Sequence, residues 1–414
     1  MKPYLILPVL LLSGAALAND VATLLPAEAV ERAVDEHPLV LASIARGDAA
    51  RGAARGQRVG PYEFTVSGSY ARRRIDREGE FSEFDVTLER GFRLPGKAAL
   101  DRRAGEFGVS AADFRIAGAR HTAVLLLNDI WWDWLAAGAE VKVNEAATTN
   151  LLADLTSIER RVALQDAAPV DADRARAALA TARVALDQSR SRAQIARSRL
   201  AVQFPSLPLP VEVPELADPV MPPVMLGILR DQALAQDHGM AIARADADRQ
   251  TILAERARRD RTPDPTLGVR LFSERGGAER GIGVVASIPI GGAGRAASAD
   301  QAEAEARAAT AEFAAARFLA EEAAATDFAQ AINSWTAWQR SRDARASSEQ
   351  AAYRLRQGYR LGGVDLAELL YAERQAQDAL KAETAARAEA ARAISRLRIN
   401  AHDLWYAGHQ TGVQ

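Results

Sequence analysis

The sequence predicts a mainly α-helical chain with a small β part, built from one unit written twice. Three patterns carry that expectation. No proline occurs from Leu100 to Ala168 or after Pro289, and apolar residues recur there with a coiled-coil-like rhythm, as in Val124, Leu127, Trp131 and Trp134. Four short segments alternate apolar and polar residues with period two, the mark of half-buried strands. The third pattern is an echo between the two halves at a near-constant offset of about 200 residues.

Composition agrees with long helices. Of 414 residues, 26% are charged, 48% hydrophobic and only 6% aromatic. Lys and Arg total 52 against 54 for Asp and Glu, so a dedicated nucleic-acid binder, with its basic excess, is excluded as a reading. The absence of cysteine excludes disulfides, thiolate zinc sites, a cysteine nucleophile and a lipidated N-terminal cysteine.

Taken in order, residues 1–18 read as a signal peptide. Lys2 precedes an apolar run, Ala16-Leu17-Ala18 supplies the small-residue pattern, and cleavage is expected between Ala18 and Asn19. The run is too short for a comfortable membrane span. Residues 19–204 form the first repeat: a helix over 27–60, a β-hairpin at 62–94 and a long helical hairpin at 98–204. Seven of the 17 prolines cluster in the linker 205–223, a stiff, extended composition. The second repeat, 224–407, again reads as a helix, a hairpin at 265–290 and a helical hairpin at 293–407, and 408–414 is a tail. Phe64, Val66, Gly68 and Tyr70 alternate with Thr65, Ser67, Ser69 and Ala71 on the first strand, and Phe84, Val86 and Leu88 with Asp85, Thr87 and Glu89 on its return. Leu267, Val269 and Leu271 alternate likewise on the third, with Ile282, Val284, Ala286, Ile288 and Ile290 on the fourth. A helix of about 65 residues would be roughly 100 Å long, which suits a tube or a bundle.

Four amphipathic strands in an exported chain pose a closure problem, because open sheet edges are not tolerated in lipid. Either other copies complete a barrel, three copies supplying twelve strands, or the hairpins are ordinary soluble β-structure. Signal peptide, repeat, hairpins, long helices and linker together resemble the TolC family of outer-membrane efflux ducts. The sharpest local match runs from Tyr359 to Arg374 (YRLGGVDLAELLYAER), similar to the family's Y-R-x-G-x-x-S/D-x-x-E/D-x-L-x-A-x-R stretch. Its first-half counterpart, Val162 to Ala177, is weaker and carries Asp166 where glycine is common. The strand exit Leu94-Pro95-Gly96-Lys97-Ala98-Ala99 is most similar to the CzcC-like components of cobalt–zinc–cadmium RND efflux systems.

The resemblance implies a homotrimer. Twelve strands would form an outer-membrane β-barrel in contact with lipid, continued by a periplasmic α-helical barrel. Transport would be passive, with a periplasmic adaptor (membrane fusion) protein and an inner-membrane RND pump as partners, and no cofactor, nucleic acid or bond chemistry. Tyr359, Asp365 and Glu368 fall on the family's periplasmic entrance, where a ring of carboxylates would concentrate cations. Tyr371 stands where a second carboxylate is often found. The helical turns with Leu361, Gly362, Gly363 and Val364, and with Ala168, Pro169, Val170 and Asp171, would dock the adaptor, Leu361 and Val364 as exposed contacts. A multidrug or type I secretion duct is the nearest alternative. An exported structural coiled-coil protein and a periplasmic adaptor are alternatives of another class.

Several motifs have plainer readings. Gly91 to Ala98 nearly spells a phosphate-binding loop, but Ala98 replaces the hydroxyl residue needed on Mg²⁺, and a tight strand-to-helix turn explains the glycine better. Asp365 and Glu368 have the spacing of a helix N-cap pair. The tryptophans Trp131, Trp132, Trp134, Trp335 and Trp338 read as helix packing. His37, His121, His238, His402 and His409 are scattered without ligand spacing, so no metal site is expected from sequence.

Overall fold

The computed structural model describes residues 24–405; the signal segment with Ala18 and Asn19, and the tail 408–414, lie outside the described residues. The elements run α1 (Ala27–Asp35), α2 (Pro38–Val59), β1 (Phe64–Ile75), β2 (Gly79–Gly91), α3 (Lys97–Ala163), α4 (Pro169–Gln203), α5 (Leu226–Ala235), α6 (His238–Arg259), β3 (Thr266–Glu274), β4 (Glu279–Ser287), α7 (Ala293–Arg360) and α8 (Leu366–Asn400). The element order of the first half therefore recurs in the second. Two expectations need correction. The single helix over 27–60 is two helices, because Pro38 has no N–H to continue α1 and instead occupies the first position of α2. The fourth strand stops at Ser287, so Ile288 and Ile290 lie past it around Pro289, which cannot donate to a ladder.

The chain divides into two compact units that do not follow the repeats, since each draws on both halves. The first comprises Met1–Leu41, Arg120–Gln236 and Glu321–Gln414. Its core is helical packing around aromatic side chains. Trp131 and Trp134 meet edge-on with centroids 5.4 Å apart, and Trp335 and Trp338 at 5.0 Å, so the packing role expected of the tryptophans holds. Their ring nitrogens find partners: Trp132 donates to Asn128 and Ser395, and Trp338 to Glu383. Glu383 is fully buried and also accepts from Arg345 and Arg387, so its carboxylate is compensated. Leu229, Ala331, Ile394, Leu397 and Ala401 form a second cluster with small residues at close helix approaches. The proline-rich linker has no helix or strand of its own and is pinned by buried Leu207 and Leu216. His37, at the α1–α2 break, is buried and packs on Phe204 with centroids 5.2 Å apart.

The second unit comprises Ala42–Ala119 and Asp237–Ala320 and holds the sheet. Asp237 opens α6 as its N-cap, accepting from the Met240 N–H at 2.6 Å. The four strands are antiparallel in the order β1-β2-β3-β4. Both hairpins are joined through β2 and β3, with Leu88 opposite Val269 and Val86 opposite Leu271.

Candidate functional site: strand face, strand–helix junction and helical turns

The register sorts the sheet into two faces. Val66, Leu88, Val269 and Val284 form one cross-strand row, and Gly68, Val86, Leu271 and Ile282 the next. Apolar side chains of this face, from Val86 at 42% to Val284 at 84%, are exposed within the described chain. The opposite face carries Ser67, Ser69, Asp85, Thr87 and Arg270; Ser69 donates to Asp85, and Arg270 pairs with the same carboxylate at 3.5 Å. Charged pairs such as Arg72–Glu80 and Arg275–Glu78 flank the hairpin tips. β1 and β4 each lack a second partner strand among the described residues, and they run antiparallel to one another. A contiguous exposed apolar face with two open edges is a surface that requires covering.

Where strands enter helices, a polar knot holds the second unit together. Gly96, at φ +88°, turns the chain from β2 into α3, as the tight-turn reading expects. Lys97 follows at 1% exposure, and its ammonium reaches Asp264 at 2.8 Å, Asp260 at 2.9 Å and the Thr262 carbonyl at 2.7 Å. Asp264 also accepts from the Tyr62 hydroxyl at 2.7 Å and from the Leu94 N–H at 2.9 Å. Arg93 donates to the Gln57, Arg58 and Val59 carbonyls that α2 leaves open at its end, and pairs with Asp101. Arg256 ties Asp101 to Asp260. Burial, reinforced by the Asp264 carboxylate, pushes the Tyr62 hydroxyl up to about 12. Burial works against the charge on Asp264 and Asp260, yet the hydrogen bonds from Lys97, and from Arg256 for Asp260, outweigh it and hold both below the ordinary carboxylate range. The near-phosphate-loop lysine is thus committed to two carboxylates.

In the first unit, the α3–α4 and α7–α8 turns are built alike. At the first, the Asp166 N–H bonds the Arg161 carbonyl and the Gln165 N–H the Val162 carbonyl; at the second, Gly363 bonds Gly358 and Gly362 bonds Tyr359. Both are Schellman closures, with Gln165 (φ +60°) and Gly362 (φ +77°) in the left-handed position. The missing first-half glycine thus falls at Gln165, not Asp166. Gly358 is forced by space, since a Cβ there would meet Val364 Cγ2 at 2.7 Å.

The expected entrance residues can now be placed. Tyr359 is half-buried and accepts a 2.9 Å hydrogen bond from Arg161 Nη1, whose guanidinium also lies 5.3 Å over the tyrosine ring and pairs with Asp166. Burial raises the Tyr359 hydroxyl despite the Arg161 charge. Leu155, Ile158, Ala172, Ala175, Leu179 and Leu366 pack beneath the two turns, with Tyr359 against them. Asp365 caps α8 by accepting from the Glu368 N–H at 2.8 Å, and both carboxylates are exposed. Leu361 is 87% exposed, and Ala168, Pro169 and Val170 are exposed beside half-buried Asp171. Val364 differs from expectation: it is half-buried, tucked against Gly358. Sequence reasoning missed Arg161, which no motif marks. It also missed that His121 and His402 come together, with ring centroids 5.8 Å apart.

Among the described residues no helix is long and apolar enough to cross a membrane. The fold is that of outer-membrane channel proteins. A membrane protein from Pseudomonas aeruginosa matches with a TM-score of 0.78 at 18% identity, covering 100% of both chains. The MtrE outer-membrane channel of Neisseria gonorrhoeae, in its open state, matches with a TM-score of 0.75 at 15% identity over 93% of this chain and 90% of that one. The outer-membrane protein VceC of Vibrio cholerae gives 0.73 at 18% identity over 92% and 95%. At these identities the likeness is one of fold. No family model matches the chain, and no curated protein matches it in sequence.

Proposed function

We propose that the chain is the outer-membrane duct of a tripartite efflux system, acting as a homotrimer, with heavy-metal cations as cargo. The observation that carries the duct reading is the sheet: one continuous exposed apolar face, one polar face and two open antiparallel edges. Lipid covers such a face only when the edges are closed, and the alternation of strand direction continues if β1 of one copy pairs with β4 of the next. The shared fold with outer-membrane channels supports the same reading. In it, residues 1–18 direct export, and the turns near 165–170 and 358–365 meet the adaptor. Asp365 and Glu368 ring the entrance, and the Arg161–Tyr359 bond ties the two turns of one protomer. The metal cargo rests on the Leu94-to-Ala99 resemblance alone.

Membrane fractionation tests the duct. A detergent-extracted particle of three chains in the outer-membrane fraction is the expected result; full release by salt overturns it. Deleting the gene then tests the cargo: sensitivity to zinc, cadmium, cobalt or copper supports metals, and sensitivity to organic drugs alone removes them.

A further inference from the structure

The first unit holds a side-chain cluster that the duct reading does not use. His121, on α3, and His402, just past the end of α8, lie far apart in the unit's sequence. Their rings lie 5.8 Å apart at 51°, and a ring nitrogen of one is within 4.8 Å of one of the other. Both are half-buried.

Neighbouring groups decide which nitrogen of His121 is which. Asp327 is held by Arg396 at 3.2 Å and accepts from Asn400 Nδ2 at 2.5 Å. An ionised carboxylate only accepts, so Asn400 must point its NH₂ at Asp327 and its Oδ1 at His121. Oδ1 lies 2.9 Å from His121 Nε2, which must therefore carry the proton. His121 is thereby set as the tautomer with its lone pair on Nδ1. An acceptor behind one ring nitrogen, fixing the tautomer and raising the basicity of the other, is the usual support of a metal-ligating histidine.

His402 is held by backbone geometry. It sits at φ +56° in the left-handed position of the α8 C-terminus, where its N–H bonds the Ile399 carbonyl and the Asp403 N–H bonds that of Arg398. A glycine would serve this closure better. An imidazole there carries a backbone strain that the closure itself does not require.

We propose that His121 and His402 bind a borderline transition-metal cation through their imidazole nitrogens, with Asn400 and Asp327 as the supporting chain. Two ligands at about 2.0–2.1 Å from a tetrahedral ion stand roughly 3.3 Å apart, within reach of small ring rotations. A neutral imidazole pair in a chain without cysteine selects copper, nickel or zinc over magnesium and calcium, and copper(II) most strongly. The site stands independently of the duct reading and of its cargo.

The test uses the full mature chain, purified in detergent without a polyhistidine tag and stripped of metal. Zinc and nickel are titrated calorimetrically, and copper(II) is followed by electron paramagnetic resonance. One equivalent per chain is expected, with nitrogen hyperfine structure for copper and no binding of magnesium. His121→Gln and His402→Gly should each weaken zinc binding at least tenfold, and Asn400→Leu by about tenfold through the lost support. His402→Gly is the informative variant, because glycine suits the left-handed position and its melting temperature should not fall. Failure to bind zinc, nickel or copper overturns the proposal. So does binding that neither histidine variant weakens, or equal binding of magnesium.

Discussion

Replacing Lys97 with methionine removes the ammonium between two carboxylates while keeping the volume of the side chain. Asp264, 4% exposed, would keep its bonds from Tyr62 and the Leu94 N–H but lose its counter-charge. Taking one partner from a buried ion pair costs about 3–5 kcal/mol. Asp260, 39% exposed and still paired with Arg256, adds little to that. At about 1 °C per kcal/mol for a chain of 414 residues, Lys97→Met should lower the melting temperature by roughly 3–6 °C. Asp264→Asn in the same background should recover part of the loss, with a coupling of about 0.5–3 kcal/mol between the two sites. The sign with pH follows from the lowered carboxylates. Their stabilisation is complete above the unfolded value of about 4 and lost as pH falls through the lower folded one, so the wild-type advantage shrinks in that acid window. Thermal melts of the detergent-solubilised protein, followed by circular dichroism at several pH values, read all of this. A loss below about 1 kcal/mol, or strict additivity of the two substitutions, refutes the claim that the knot is held by charge.

Further expectations concern the turns and the sheet. Gln165→Gly should stabilise by about 1 kcal/mol by relieving a left-handed non-glycine residue, while Gly362→Ala should destabilise by a similar amount; denaturant midpoints check both. Tyr359→Phe deletes the Arg161 hydrogen bond but keeps the ring, for a loss of about 1 kcal/mol in the same assay. Asp154 is pushed up by burial, with Arg356 and Arg360 opposing, so its charge destabilises once pH rises through that raised value. Asp154→Asn should therefore raise the melting temperature at pH 7, with the gain vanishing below about pH 4. Val284→Arg puts a charge on the exposed apolar face; if lipid covers that face, as proposed, it should cost up to about 2–4 kcal/mol per chain and deplete the membrane fraction on immunoblots.

What could be read from sequence was whatever is periodic. Val66, Val86, Val269 and Val284 alternate strictly, and the register places them on one face. The long helices announce themselves by the lack of proline and a steady apolar rhythm. Single-residue backbone events were less legible: Pro38 starts a helix as readily as it ends one, and Gln165 takes a left-handed turn that composition does not mark. The side-chain networks were hidden for a different reason. Lys97 finds Asp260 and Asp264 across more than 160 positions, and Asn400 orients His121 from a distant helix, so no local spacing encodes either. Glu368 and Asp365 were legible as a cap pair because that contact spans three residues.

The most direct test of barrel closure by neighbouring copies exploits the cysteine-free background. Ser67→Cys on β1 is combined in turn with Gly281→Cys, Gly283→Cys or Val285→Cys on β4, all on the polar face of the sheet. Cysteines link only when their Cα atoms approach to about 4.4–6.8 Å. After mild oxidation in native membranes, the account predicts a ladder on non-reducing gels that stops at three chains for at least one pair and collapses on reduction. Monomers alone for every β1–β4 pair would contradict it.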